Sequence, residues 1–266
     1  MKKTQTTNKK EKTIKNDKSS PTKNYENNST KNHKSSPTKN DKINSTKNRE
    51  NGSLNIDEKR KLALAIINRL KEAYPDADCT LDYDSAWKLL VSVRLAAQCT
   101  DARVNVVVKD LYAKYPDIAS LAAADVSAIE DIVKPCGLGH SKARDISACM
   151  KRIHEEFHDQ VPDDFDTLLS LPGVGRKSAN LIMGDVFGKP AIVTDTHCIR
   201  LTNRMGLIDN IKDPKKVEME LWKIIPPEEG NSFCHRLVCH GRDICTARTK
   251  PHCEECVLVD LCAKNV

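Results

Sequence analysis

The sequence predicts an all-α fold, and three observations carry that prediction. From about residue 57 onward, apolar residues recur at helical rather than alternating spacing. The apolar stretches are bounded by Asp, Ser, Gly or Pro where such residues start or stop helices. No convincing hairpin or strand–helix–strand unit interrupts the series.

The first predicted helix, "DEKRKLALAIINRLKEAYP", takes Asp57 as its N-cap and stops before Pro75. It sets Leu62, Ile66, Leu70 and Ala73 on one face. "DSAWKLLVSVRLAAQ" repeats that stripe with Trp87, Leu90, Val91 and Leu95. "DARVNVVVKDLYAKYP", "DVSAIEDIVKP" and "SKARDISACMKRIHEEF" continue the series. The valine-rich "VNVVV" has the composition of a strand, but it sits between helix signals with no pairing partner.

"DDFDTLLSLPGVGRKSANLIMGDVF" reads as helix, short turn, helix. Asp163 or Asp164 caps the first helix, Pro172 stops it, and Gly173 and Gly175 supply backbone freedom. Apolar residues then recur at Ala179, Ile182 and Val186. A glycine turn opening into a helix leaves backbone N–H groups outward at the positive end of the dipole, which suits phosphate. The same turn is equally ordinary as the corner of a plain αα-hairpin. Lys177 lies in the first turn of the second helix, where the dipole disfavours a cation and partial burial would disfavour it further. Two roles stand open for it: a contact to phosphate or solvent, or an amine nucleophile.

Asp195 follows eighteen positions later, in "PAIVTDTHCIRL", at the start of another helix. Backbone N–H groups there hold a carboxylate ionised. Such a carboxylate beside an uncharged amine suits stabilisation of a cationic sugar transition state and movement of the amine's protons. A simple capping role is the alternative. His197 reads as a structural hydrogen-bond partner rather than a catalyst.

Four of the eleven cysteines crowd into "CTARTKPHCEECVLVDLC", at Cys245, Cys253, Cys256 and Cys262. Thiolates this close hold zinc or an iron–sulfur cluster. With a single close Cys-x-x-Cys pair and no glycine knuckles, the spacing favours a cubane cluster. Arg248, Lys250 and His252 lie between the first two cysteines, so a metal centre would hold a basic loop toward phosphates. Cys239 reads as a buried helix cysteine.

Charge is unevenly spread. Residues 1–55 carry 14 Lys and Arg against 5 Asp and Glu, whereas the remainder carries 29 against 32. Nucleic-acid binding by the folded part therefore requires a local patch. The Lys/Asn/Ser/Thr-rich opening segment, with "KSSPTKN" twice, is expected to be a disordered tail over residues 1–56. It serves either as a spacer or as a polycationic arm on DNA. No apolar run reaches membrane-spanning length, and the segment lacks the core of a secretory signal. A cytoplasmic, nucleoid-associated protein without membrane contact is expected.

Together, "LPGVGRKSAN", "VTDTH", the Lys177–Asp195 spacing and the terminal cysteines resemble the endonuclease III family of DNA glycosylases, from about residue 57 to the end. The resemblance implies a two-domain helix-hairpin-helix fold with damaged double-stranded DNA in the cleft between the domains. A six-helix module would span 79–189, with the hairpin at about 165–184. Residues 57–78 and 190–266 would form a discontinuous domain holding a [4Fe-4S] cluster. It also implies a monomeric, bifunctional glycosylase and AP lyase of base excision repair, removing oxidised pyrimidines. Lys177 would form the Schiff base, Asp195 would be the catalytic carboxylate, and β-elimination would nick the strand 3′ to the abasic site. Gln98 and Leu138 would fill and wedge the duplex around the flipped nucleotide. Gly173, Gly175, Arg176, Arg248 and Lys250 would contact DNA. Adenine or mismatch glycosylases of the superfamily generally lack the lysine, a pyrimidine-dimer glycosylase would keep both residues, and a non-catalytic DNA-binding module would need neither. Two features depart from the family pattern: seven rather than six residues between the first two cysteines, and Gly139 after Leu138 where a bulky residue is usual.

Overall fold

Every regular element in the computed structural model is helical among the residues it describes, 54–265. Residues 1–53 of the expected basic tail lie outside them, and Asn55 and Ile56 already form the cap and first residue of the first helix. Helix α1 (Ile56–Ala73) begins earlier than the sequence suggests because Asn55, not Asp57, is its N-cap. The Asn55 side chain accepts from the N–H groups of Asp57 and Glu58, and the Glu58 carboxylate accepts from the Asn55 N–H. Asp57 instead sits in the first turn, where its charge complements the dipole.

Helices α2 (Ala86–Leu95), α3 (Asp101–Lys114) and α5 (Val126–Val133) follow the expected stripes, and "VNVVV" is helical within α3. A five-residue helix, α4 (Ile118–Ala122), precedes α5. A 3-10 turn (Lys134–Cys136) leads into α6 (Gly139–Phe157). With α7 (Phe165–Ser170) and α8 (Arg176–Asp185), the span 79–189 holds seven α-helices rather than six. The added one is α4, too short to show a helical period; it is set by a capping box in which Asp117 and Ser120 bond each other's backbone.

Helices α9 (Thr196–Met205), α10 (Pro214–Leu221) and α11 (Gly230–Asp243) complete the chain. α6 packs on α4 and α5, and α2 packs on α3, α6 and α8. α11 packs on α1 and α9 and reaches α8. The first helix is thus tied to the last third of the chain. Arg60 donates to the Lys223 carbonyl at 2.9 Å, Lys71 pairs with Glu229, and Arg69 holds Asp260 through two bonds of 2.9 Å. The interior is aliphatic, with Ile66, Leu70, Leu89, Leu111 and Met150 fully buried. Each contributes roughly 1.5–3 kcal/mol by leaving water.

Candidate active site and cluster site

The hairpin of α7 and α8 owes its geometry to three local choices. Asp164 caps α7 by accepting from the Thr167 N–H at 2.8 Å. Gly173 has φ +74°, and a Cβ there would stand 2.8 Å from the Asp145 Cβ and 3.2 Å from the Arg94 Nε. Those two side chains form an ion pair at 2.6 Å under the turn, so glycine is required twice over. Gly175 differs from expectation: its φ of −99° is open to any residue and a Cβ would meet nothing. It is the N-cap of α8 and supplies no side-chain acceptor, so the first-turn N–H groups keep no capping side chain. That end of α8 is an anion-ready surface.

Lys177 is exposed in this first turn, so burial does not assist it as expected. Asp195 is the N-cap of α9, accepting from the Cys198 N–H at 2.7 Å, and buried Ala191, Ile192 and Val193 lead into it. Lys177 and Asp195, on different helices, both line one cavity of about 330 Å³. His197 lines it too, half-buried, with Arg200 Nη2 3.2 Å from its Nδ1. Burial pulls the His197 pKa below the ordinary imidazole value. The Asp195 charge opposes this, while Arg200, Arg242 and Lys177 reinforce it. Both site residues therefore lie within electrostatic reach of the His197 imidazole.

His235, Cys79 and Arg242 also line the cavity, and His235 leads to groups behind its wall that sequence reading passed over. Asp185, with a side chain 1% exposed, has its Oδ1 2.7 Å from both Asn231 Nδ2 and His235 Nε2. The Cys79 thiol lines the same wall, pushed up to about 12 chiefly by burial, with Asp185 adding to it. Arg242 reaches across to Asp101 at 3.0 Å. The one available signal for this cluster was an aspartate ending the apolar run "LIMGD". Cys239, expected to be buried, is half-buried and lines the cavity.

Gln98 and Leu138 are both exposed, and both are non-glycine residues in the left-handed region, at φ 56° and 52°. Such backbone persists only where surrounding structure holds it. Gly139 follows for a steric reason: a Cβ there would lie 3.1 Å from the Lys134 Cα. Arg176 has a partner within the fold. Its guanidinium is committed to Glu218 by two bonds of 3.0 and 2.7 Å and lies over the Phe165 ring, 4.9 Å from its centroid. Glu218 is buried and needs that partner, so the arginine ties α8 to α10.

Cys245, Cys253, Cys256 and Cys262 converge on one cavity, with Met205, Ile244 and Leu258 among its walls. None forms a disulfide. Donors already point at the sulfurs: the Leu258 N–H at Cys256 (3.4 Å), the Lys264 N–H at Cys262 (3.3 Å) and Arg204 Nη1 at Cys245 (3.3 Å). Burial and the neighbouring thiols push the Cys256 and Cys262 thiols up, so four thiolates coexist there only around a cationic core. The residues fit an iron–sulfur cluster. The longer loop is pinned by Thr249 Oγ1 donating to Thr246 Oγ1 at 2.8 Å and by the His252 N–H on the Ile244 carbonyl, leaving Arg248 and Lys250 exposed.

Residues 91–227 match the family described as HhH-GPD superfamily base excision DNA repair protein. Residues 245–262 match the iron–sulfur binding domain of endonuclease III. The chain is similar to endonuclease III of Synechocystis sp., 43% identical over 205 residues, covering 77% of this chain and 93% of that protein. It is 38% identical to endonuclease III of Bacillus subtilis, covering 75% and 90% of the two chains. Its fold is similar to that of a trapped endonuclease III–DNA covalent intermediate, with a TM-score of 0.73 and 37% identity over 77% of this chain and 96% of that one.

Proposed function

The chain belongs to the endonuclease III family, and we propose that Lys177 and Asp195 are its nucleophile and its catalytic carboxylate. The protein is a base-excision-repair DNA glycosylase with AP lyase activity, it binds DNA, and it carries a [4Fe-4S] cluster. The observation that carries the residue assignment is the opening of Lys177 and Asp195 from separate helices into one cavity. An extruded nucleotide enters that cavity, because its sugar is unreachable inside the stack. As the glycosidic bond breaks and its electron pair leaves with the base, the Lys177 amine forms a bond to C1′. Asp195 stabilises the cationic sugar and takes the proton that the amine sheds. Ring opening yields the imine, and loss of a C2′ proton expels the 3′ phosphate.

The α8 N-terminus and exposed Arg248 and Lys250 support contacts to phosphates. Gln98 and Leu138 fill and wedge the duplex. When bound, the cluster joins the 245–262 loop into one unit through Cys245, Cys253, Cys256 and Cys262. We assign two lobes, 79–189 and 57–78 with 190–266, and oxidised pyrimidines as substrates. We further read the protein as a monomer working on the nucleoid in the cytoplasm; no described helix is long and apolar enough to cross a membrane.

Borohydride reduction in the presence of a duplex with one oxidised pyrimidine tests the assignment. The expected result is a covalent protein–DNA adduct that disappears in Lys177→Gln. An adduct of equal yield in that variant removes Lys177 from the mechanism.

A further inference from the structure

Lys142, on α6, is 0% exposed. Its Nζ donates to two backbone carbonyls, Leu95 O and Cys136 O, each at 2.8 Å. A buried lysine held by carbonyls is costly compared with an apolar residue of the same length, so the two bonds call for a reason.

The two carbonyls supply it. Leu95 is the last residue of α2 and Cys136 the last of the 3-10 turn, so both oxygens belong to helix ends that lack ordinary partners. An ammonium between two such ends meets the negative pole of each. Leu95 stands three residues before Gln98, and Cys136 two before Leu138. Between each anchor and its exposed side chain the backbone enters the left-handed region, at Gln98 on one side and at Gly137 and Leu138 on the other. Burial, and after it the neighbouring Cys99 thiol, push the Cys136 thiol up, so the two loops lie within electrostatic reach of each other where the ammonium joins them. Burial pulls the Lys142 pKa down, and nearby Cys99 and Cys136 oppose that.

We propose that Lys142 is a positioning residue that locks the Gln98 and Leu138 loops at one spacing, so that both side chains enter the duplex as a single two-pronged unit. This rests on the reading that those two side chains occupy the duplex. Lys142 touches no reacting atom, and its effect is confined to substrates in which a base pair must be opened.

The test uses the full-length, cluster-loaded protein. Lys142→Met removes both donors and keeps the length. Its activity is measured on a lesion duplex and on a single-stranded oligonucleotide with one abasic site, which needs the Lys177 chemistry but has no helix to open. The expected result is a KM on the duplex raised at least about tenfold, with single-strand scission within about twofold of the parent. Lys142→Arg, which keeps a cation and its donors, should recover part of the duplex KM. Equal losses on both substrates, or none on either, overturn the proposal. Gln98→Ala and Leu138→Ala run in parallel: parent-like duplex activity in both sinks the underlying reading, whereas impairment there without impairment in Lys142→Met sinks the Lys142 proposal alone. If Lys142→Met does not fold, Lys142→Gln takes its place; failure of both to fold makes Lys142 a core determinant and overturns the proposal as well.

Discussion

The proposed mechanism gives the Asp195 carboxylate a second job beside its cap, and the two are separable. As an N-cap it accepts from the Cys198 N–H, which an asparagine side chain does equally well. As an anion in the cavity it has no neutral substitute. Asp195→Asn is therefore expected to leave the melting temperature within a few degrees and DNA binding intact, while strand scission falls by at least about 100-fold. Retained turnover, read on a single-lesion duplex, would reduce Asp195 to a cap. His197 gives a pH signature. Its folded pKa is depressed mainly by burial, so the unfolded chain binds the extra proton first as pH falls. Its contribution is complete above the free-histidine value of about 6.5 and is lost as pH falls below that toward the folded pKa. Denaturant midpoints across this range should show an acid-side loss that is shallower in His197→Gln.

At the scale of elements, the hairpin turn depends on packing as much as on chain flexibility. Gly173→Ala adds a methyl against Asp145 and Arg94 at a residue already at φ +74°. The expected cost is about 1–3 kcal/mol of stability, with weaker binding to undamaged duplex as the α8 N-terminus shifts. Gly175→Ala, with no crowding and an ordinary φ, should melt like the parent. Equal melting temperatures for both variants would contradict this account. Motif and stripe were legible at this scale, since the hairpin, α2, α3 and the capping of α9 all follow patterns local in sequence. Helix α4 was not, because five residues show no period. Nor was the fate of Arg176, whose acid partner lies 42 residues away on α10.

Across the whole molecule, charge is divided between residues 1–55, with 14 basic against 5 acidic residues, and residues 56–266, with 29 against 32. Affinity for any duplex should therefore draw on residues 1–50 in a salt-dependent way. Removing them is expected to lower non-specific affinity at about 50 mM salt and to flatten the slope of affinity against salt, with kcat on a lesion duplex unchanged. An identical slope would make the segment a spacer. The pairing of α1 with the C-terminal third has a similar whole-chain character: buried His240 contacts Tyr74, the C-cap of α1, at 3.3 Å and Cys256 at 3.5 Å, so the cluster loop and the first helix share one link.

The sequence alone determined the helical class, the hairpin and the four-cysteine quartet, because each is written in residues close together along the chain. Tertiary structure alone decided that Lys177 and Asp195 share a cavity, that its wall residue His235 is held by buried Asp185, that Arg176 is committed to Glu218, and that Lys142 joins two loops. Those outcomes depend on which distant helices pack together, and no local pattern of apolar spacing encodes the partner of a buried charge.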